Sequence, residues 1–295
     1  MLRPVYLIAA CAFAAVATPS FAAEPDWGAV AKAMGKEGAV QAGGIYRVAL
    51  PRTDLHVVLD GVTLKPGFAL GGWLAFEPIG DQAMVMGDLV LTQDEVNPVM
   101  KKLEEEGIEI SALHNHLLRA EPATMYMHVM GHGDPVKLAQ ALHTALALSK
   151  IPFEALSGTS QPPQMDLDTA AIDKIMGAQG KVNGGVLQYG IPRGDKIEES
   201  GMSVPPALGS AIGINFQPTG GGKAAITGDF VLTRKEVNPV IKAMRENGIE
   251  VTAIHNHMLN DEPRLFFMHF WANDDAQKLA KGLRAALDQV NVAKS

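Results

Sequence analysis

Residues 107–128, GIEISALHNHLLRAEPATMYMH, come back 141 positions later as residues 248–269, GIEVTAIHNHMLNDEPRLFFMH. Each copy holds His-Asn-His, a glutamate five residues after the second histidine and followed by proline, and a third histidine seven residues after that glutamate. In the first copy these are His114, His116, Glu121 and His128; in the second they are His255, His257, Glu262 and His269. The leading glycine reads as the left-handed cap of a helix, and the alternating runs on either side of Glu-Pro read as two strands joined by a loop.

Working outward, the match extends upstream. Residues 87–116 and 228–257 are identical at 19 of 30 positions, including the shared segments EVNPV, GIE and HNH. Farther back, MGKEGAVQAGGIYRVALPRTD aligns with MGAQGKVNGGVLQYGIPRGD after a one-residue gap. The chain is therefore a tandem repeat, and the expected organisation is a leader over 1–23, a first repeat over 24–149, a linker over 150–167 and a second repeat over 168–295. The linker stretch, SKIPFEALSGTSQPPQMD, is rich in Ser, Pro and Gly. Two long copies point to a pseudo-two-fold pairing within one chain, since a solenoid needs more and shorter units.

In the first repeat, residues 26–34 read as a short amphipathic helix behind an acidic cap, and GIYRVALP as a strand stopped by Pro51. Strands are expected over 55–59, 69–76 and 82–91. Thr92-Gln93-Asp94-Glu95 has capping-box spacing, with Asn97-Pro98 as a second possible start, and a helix over 98–106 follows. Strands over 108–116 and 124–130 and a helix over 134–148 complete the unit. Strands mixed with helices in this order predict an α+β fold with mainly antiparallel sheet, pictured as ferredoxin-like cores packed with pseudo-two-fold symmetry.

Composition excludes some partners. The chain of 295 residues is 47% hydrophobic and 19% charged, which is that of an ordinary folded protein. Acidic residues outnumber basic ones, 32 to 25, and no basic run occurs, so a nucleic-acid partner is not expected. The start, MLRPVYLIAACAFAAVATPSFAAEP, has a positive Arg3, an apolar core and small residues around Ala22, the pattern of a signal peptide. Export to the periplasm or beyond is expected, with no spanning segment after the leader is removed. The single cysteine, Cys11, sits in a loose lipoprotein-like context, so lipid anchoring is a minor alternative. A mature chain without cysteine leaves nitrogen and oxygen as metal donors, with at most methionine sulfur.

His114 and His116 stand two apart on a strand and so leave it on the same face. Imidazoles and a carboxylate gathered this closely are the donor set of zinc, copper or iron. A regular hairpin cannot bring all four groups to one ion. If the turn centres on Glu121, His114 faces His128 and the glutamate is left at the tip; if it centres near Arg119, Glu121 returns and His128 lies roughly 13 Å away. The bland reading, a hydrogen-bonded core histidine, stands beside the metal reading, and recent duplication alone could repeat it.

Other residues rank lower. His132 has Asn273 at its counterpart position. Met84, Met86, Met125, Met127 and Met130 could be thioether ligands but read better as core filling, since Phe266 and Trp271 replace two of them. Glu95 and Glu236 are accounted for as capping residues, and Asp88 and Asp229, each after a glycine, as turn residues. PTGGGKAA lacks phosphate-loop spacing. The contiguous HNH letters are not the nuclease motif, and a cupin likeness rests on the His-x-His and a later Glu alone.

The combination of GDLVLTQDEVNPV, ALHNHLL, EP and MYMH, doubled along the chain, resembles the bacterial LppY/LpqO-type family of secreted or lipid-anchored proteins with a domain of unknown function. That resemblance implies export and a two-domain layout and carries no reaction. Three readings are open: an exported protein with two similar sites for a divalent ion, zinc or copper foremost; a metal-dependent hydrolase or oxidoreductase with Glu121 or Glu262 as base; and a module whose histidines and aromatics (Tyr126, Phe267, Trp271) bind a small molecule or a partner without metal.

Overall fold

The computed structural model describes residues 25–154 and 165–293. The expected leader, with Cys11, and residues 155–164 of the expected linker lie outside the described residues.

The first repeat runs α1 (Trp27–Met34), β1 (Ala39–Val40), β2 (Tyr46–Pro51), β3 (Val58–Leu59), β4 (Val62–Thr63), α2 (Pro66–Ala69), β5 (Gly71–Ile79), β6 (Gln82–Thr92), α3 (Gln93–Glu105), β7 (Glu109–His114), β8 (Thr124–Gly133) and α4 (Pro135–Leu146). The second runs α5 (Thr169–Met176), β9 (Lys181–Asn183), β10 (Val186–Ile191), β11 (Glu198–Glu199), β12 (Met202–Ser203), β13 (Ile212–Gly220), β14 (Lys223–Thr233), α6 (Val237–Glu246), β15 (Glu250–His255), β16 (Asp261–Glu262), β17 (Leu265–Asp275) and α7 (Ala276–Leu287). Each repeat thus builds the expected α+β unit with antiparallel pairing throughout its main sheet.

The six-stranded sheets have the mirrored orders β1-β2-β5-β6-β8-β7 and β15-β17-β14-β13-β10-β9. Four of these strands, β5-β6-β8-β7, with α3 crossing from β6 to β7 and α4 after β8, have the strand order of a ferredoxin-like core. The place usually taken by that core's last strand is filled by β5, which precedes the others in the chain. Alternation then assigns the faces. Leu89 and Leu91 of β6 and Met127 and Val129 of β8 turn to one side and pack with Val99, Leu103 and Leu142 of the helices. Val90 and Tyr126 turn to the other side and share a buried cluster with Ala225 and Trp271 of the second repeat. Helices therefore cover the outer faces, and the two inner faces meet.

Local differences from the sequence reading have local causes. α3 starts directly after Thr92, whose hydroxyl and backbone form the full capping box with Glu95, so Pro98 falls inside the helix and the Asn97 start is not used. Residues 66–69 form a single helical turn opened by Pro66, so the strand expected over 69–76 begins only at Gly71. Glu95 also does more than cap. The guanidinium of Arg52, fully buried, donates to Glu95 (2.7 Å), Asp54 (2.8 Å) and the Val90 carbonyl (2.8 Å). Arg193, Glu236 and Asp195 repeat this anchor in the second unit.

Candidate metal centre

The hairpin β7–β8 carries a bulge. Ile110 pairs with Val129 and Ala112 with His128, leaving Ser111 as the extra residue; β15–β17 repeats this with Thr252 between Val251 and Ala253. A bulged residue is re-aimed relative to its strand. Here the Ser111 hydroxyl donates to the carbonyl of His257 (2.5 Å), and the Thr252 hydroxyl to the carbonyl of His116 (2.5 Å). Each repeat thus pins the second histidine of the other. Asn115 and Asn256, between the paired histidines, donate to the carbonyls of Leu117 and Met258 and brace the loop.

The result is one cluster, not two. His114 and His255 stack at 3.4 Å between ring centroids, His116 and His269 at 3.6 Å, and His128 and His257 at 3.6 Å. Every one of these pairs joins the two repeats. Tyr126 closes one end of the stack against His116 (3.4 Å), and Phe267 closes the symmetry-related end against His257 (3.6 Å). The hairpin geometry that could not gather its own four groups is resolved because the second repeat supplies the rest.

Two carboxylates complete the set, and they are not the glutamates. Asp88 pairs directly with His128 across β6–β8, and Asp229 with His269 across β14–β17, so each projects from the same inner face as its histidine. The turn expected at each Gly-Asp does not form: both aspartates lie inside long strands, and each groups with two histidines of its own repeat. His128 Nε2 lies 3.9 Å from Asp88 Oδ1, and His269 Nε2 lies 3.8 Å from Asp229 Oδ1. Glu121 is exposed and its backbone bridges Val58, while exposed Glu262 pairs with Glu198. The structure therefore does not bring Glu121 or Glu262 to the histidines. His132 is exposed, and Met84, Met86 and Met130 lie in the apolar core.

Four groupings of donor atoms within 4.8 Å of one another follow: His114–His116–His255–His269, His114–His128–His257, Asp88–His116–His128 and Asp229–His257–His269. The donor edge of a tetrahedral zinc site with bonds of 2.0–2.1 Å is roughly 3.3 Å, so modest splaying of the stacked rings brings them to bonding distance. Among the described residues, Nε2 of all six histidines, Nδ1 of His114 and Oδ1 of both aspartates are buried without a hydrogen-bond partner. Nine orphaned polar atoms in one place are costly in a native interior, and cations could satisfy those that present a lone pair, which is one nitrogen of each neutral ring and the carboxylate oxygens. His269 Nδ1 lies 2.8 Å from the Gly228 carbonyl, and His255 Nδ1 lies 3.3 Å from the Asn256 carbonyl. A carbonyl only accepts, so the proton sits on Nδ1 and Nε2 presents its lone pair to the cluster.

Electrostatics agree. Burial, compounded by neighbouring imidazoles, holds His116, His128, His257 and His269 well below the ordinary histidine range. Burial also takes His114 down to about 3 and His255 to about 4. All six are the neutral form a metal binds. Burial pushes Asp88 up to about 7, against the charge of Arg47, and drives Asp229 well above its usual value, helped by Asp88. Two nearby carboxylates short of positive charge could take up a cation.

A cleft of about 880 Å³ between the repeats ends on this cluster and is lined there by Asp88, His116, His128, Asp229, His257 and His269. Its volume suits a small organic molecule. The carboxylates could be found in the sequence only from the repetition of Gly-Asp; nothing in the sequence marked Ser111 and Thr252.

No helix among the described residues is long and apolar enough to cross a membrane. Comparison with curated proteins finds no match. Among solved structures, the chain is similar to a trimeric bacterial microcompartment shell protein, PduB, at 12% identity over 88% of this chain and 96% of that one, with a TM-score of 0.23. It is also similar to EtuB from Clostridium kluyveri at 7% identity over 86% and 91%, with a TM-score of 0.20. At these scores neither neighbour bears on the function of this chain. Sequence comparison is more direct: the family described as Domain of Unknown Function (DUF1259) matches residues 28–148 and again residues 170–289, the two repeats whose histidines meet. The chain belongs to that family, in two tandem copies.

Proposed function

We propose that the protein binds divalent transition-metal ions, zinc or copper, at a single centre built jointly by the two repeats. The observation that carries this reading is the convergence of six neutral imidazoles and two carboxylates whose inward atoms have no protein partner. The pseudo-symmetry divides the set into two halves, one around His116 and His269, which His255 joins, and the other around His128 and His257, with His114 common to both. We therefore assign two ions to the centre. Asp88 borders both halves through His116 and His128, and Asp229 through His257 and His269.

A metal held here beside the cleft could polarise a bound carbonyl or activate water, which supports metal-dependent chemistry on a small molecule as the use of the site. Asp88 and Asp229, not the exposed glutamates, are the carboxylates placed to take or give a proton. The motif resemblance to the LppY/LpqO-type family and the leader-like start support an exported protein, periplasmic or secreted.

The test is elemental analysis of untagged protein after reconstitution, beside a His114→Ala/His255→Ala variant and a Glu121→Gln/Glu262→Gln variant. Two equivalents retained by the wild type and the glutamate variant, and lost from the histidine variant, are expected. No retained metal in the wild type overturns the reading.

A further inference from the structure

We infer that the cleft takes a small organic carboxylate, gripped by Arg47 and presented by it to the His/Asp centre. The inference rests on the metal reading for what happens at the inner end of the ligand. The outer end stands on its own geometry.

The two repeats line the cleft differently. Strand registers fix the equivalences: Tyr46 pairs with Phe76 and Leu187 with Phe216, so Arg47 corresponds to Gln188. Trp73 pairs with Asp88 and Gly213 with Asp229, so Trp73 corresponds to Gly213. Around a nearly symmetric set of histidines, one wall therefore carries a cation and an indole, and the other an amide and a bare backbone. A Cβ built on Gly213 meets nothing within 4 Å, so that side is open space. A symmetric centre under an asymmetric cleft orients an unsymmetrical ligand.

Arg47 is built to hold an anion. It is the one Arg or Lys among the residues lining the cleft. Its guanidinium lies 4.0 Å from the Trp73 ring centroid, and its Nη1 donates to the Ala207 carbonyl (2.5 Å). Those contacts fix the plane of the fork, and Nε and Nη2 have no hydrogen-bond partner among the described residues. Gln188 spends its amide on the Gly67 carbonyl (2.7 Å), as Arg47 spends only one nitrogen on Ala207. The remaining donors suit the planar, bidentate pairing of a carboxylate. With Asp88 and Asp229 in the same cleft, a monoanion is better matched to one guanidinium than a dianion is.

The experiment compares benzoate with benzamide, of the same shape but uncharged, by titration calorimetry on zinc-reconstituted wild type and on Arg47→Gln. The glutamine copies the residue that the second repeat uses at this place, so the fold is expected to persist, as circular dichroism would check. Benzoate should bind the wild type about tenfold or more tightly than benzamide does, and lose about the same factor in Arg47→Gln. Benzoate that binds no better than benzamide, or equally well to Arg47→Gln, or not at all, overturns the inference. Zinc content of the same samples separates the two readings. Zinc retained without Arg47-dependent binding sinks only the carboxylate site; Arg47-dependent binding without zinc supports that site and sinks the metal centre.

Discussion

Acidifying the metal-free protein should unfold it over a narrow interval beginning near pH 6.5. In the folded chain six histidines are held neutral by burial, His114 down to about 3 and His255 to about 4. In the unfolded chain each titrates near 6.5. Below that pH the unfolded state binds more protons, so stability falls as pH falls, by about 1.4 kcal/mol per pH unit for each histidine. The loss continues down to the folded values. Asp88, pushed up to about 7, and Asp229, raised further, act in the opposite sense. They bind protons in the folded state at pH values where the unfolded aspartates do not, so acid favours the fold through them. Six histidines against two aspartates leaves four protons, or on the order of 5 kcal/mol per pH unit at full slope. A domain's whole stability is about 5–15 kcal/mol, so about one to three units of acid suffice. Urea denaturation of chelator-treated protein at pH 7.5, 6.5 and 5.5, followed by circular dichroism, measures the slope. His114→Ala/His255→Ala should reduce it by two protons. A wild-type slope of one proton or less refutes the burial of six neutral imidazoles, and with it the donor set.

Saturating zinc should raise the midpoint of thermal unfolding at pH 7.5, and the shift should shrink as pH falls below 7, because in the folded state protons compete for Asp88, pushed up to about 7, and for Asp229, while the buried imidazoles stay neutral; a zinc shift independent of pH would contradict ligation by the carboxylates. Ser111→Ala and Thr252→Val should each cost about 1 kcal/mol in urea unfolding and weaken zinc binding, since each releases a histidine carbonyl of the other repeat. Gly228→Ala should cost at least ~2 kcal/mol, because its Cβ would lie 2.0 Å from the Gly213 carbonyl oxygen, while Gly213→Ala, facing open space, should change stability by less than ~1 kcal/mol. Equal effects of these two glycine substitutions would contradict a close β13–β14 backbone approach at Gly228. Arg52→Leu should cost about 3–5 kcal/mol by stranding Glu95 beside Asp54, again read by urea unfolding.

The chain by itself determined the repeat, the α+β class, the capping of α3 by Thr92 and Glu95, and the six histidines as one recurring constellation. These are local or periodic properties. A strand's two-residue period puts His114 and His116 on one face whatever lies opposite, and a capping box needs only four consecutive residues. What the sequence could not determine was what stands across from that face. It offered two sites, each closed by its own Glu121 or Glu262, because proximity in sequence was the only proximity available. The glutamates instead bridge Val58 and Glu198 at the surface. Asp88 and Asp229 enter through strand register, 40 residues from the histidines they face. The pairing of His114 with His255, His116 with His269 and His128 with His257 exists only because the inner faces of two sheets meet. That meeting is decided by apolar burial along both sheets and by hydroxyls on two bulges, interactions spread over the whole chain and readable from no single stretch of it.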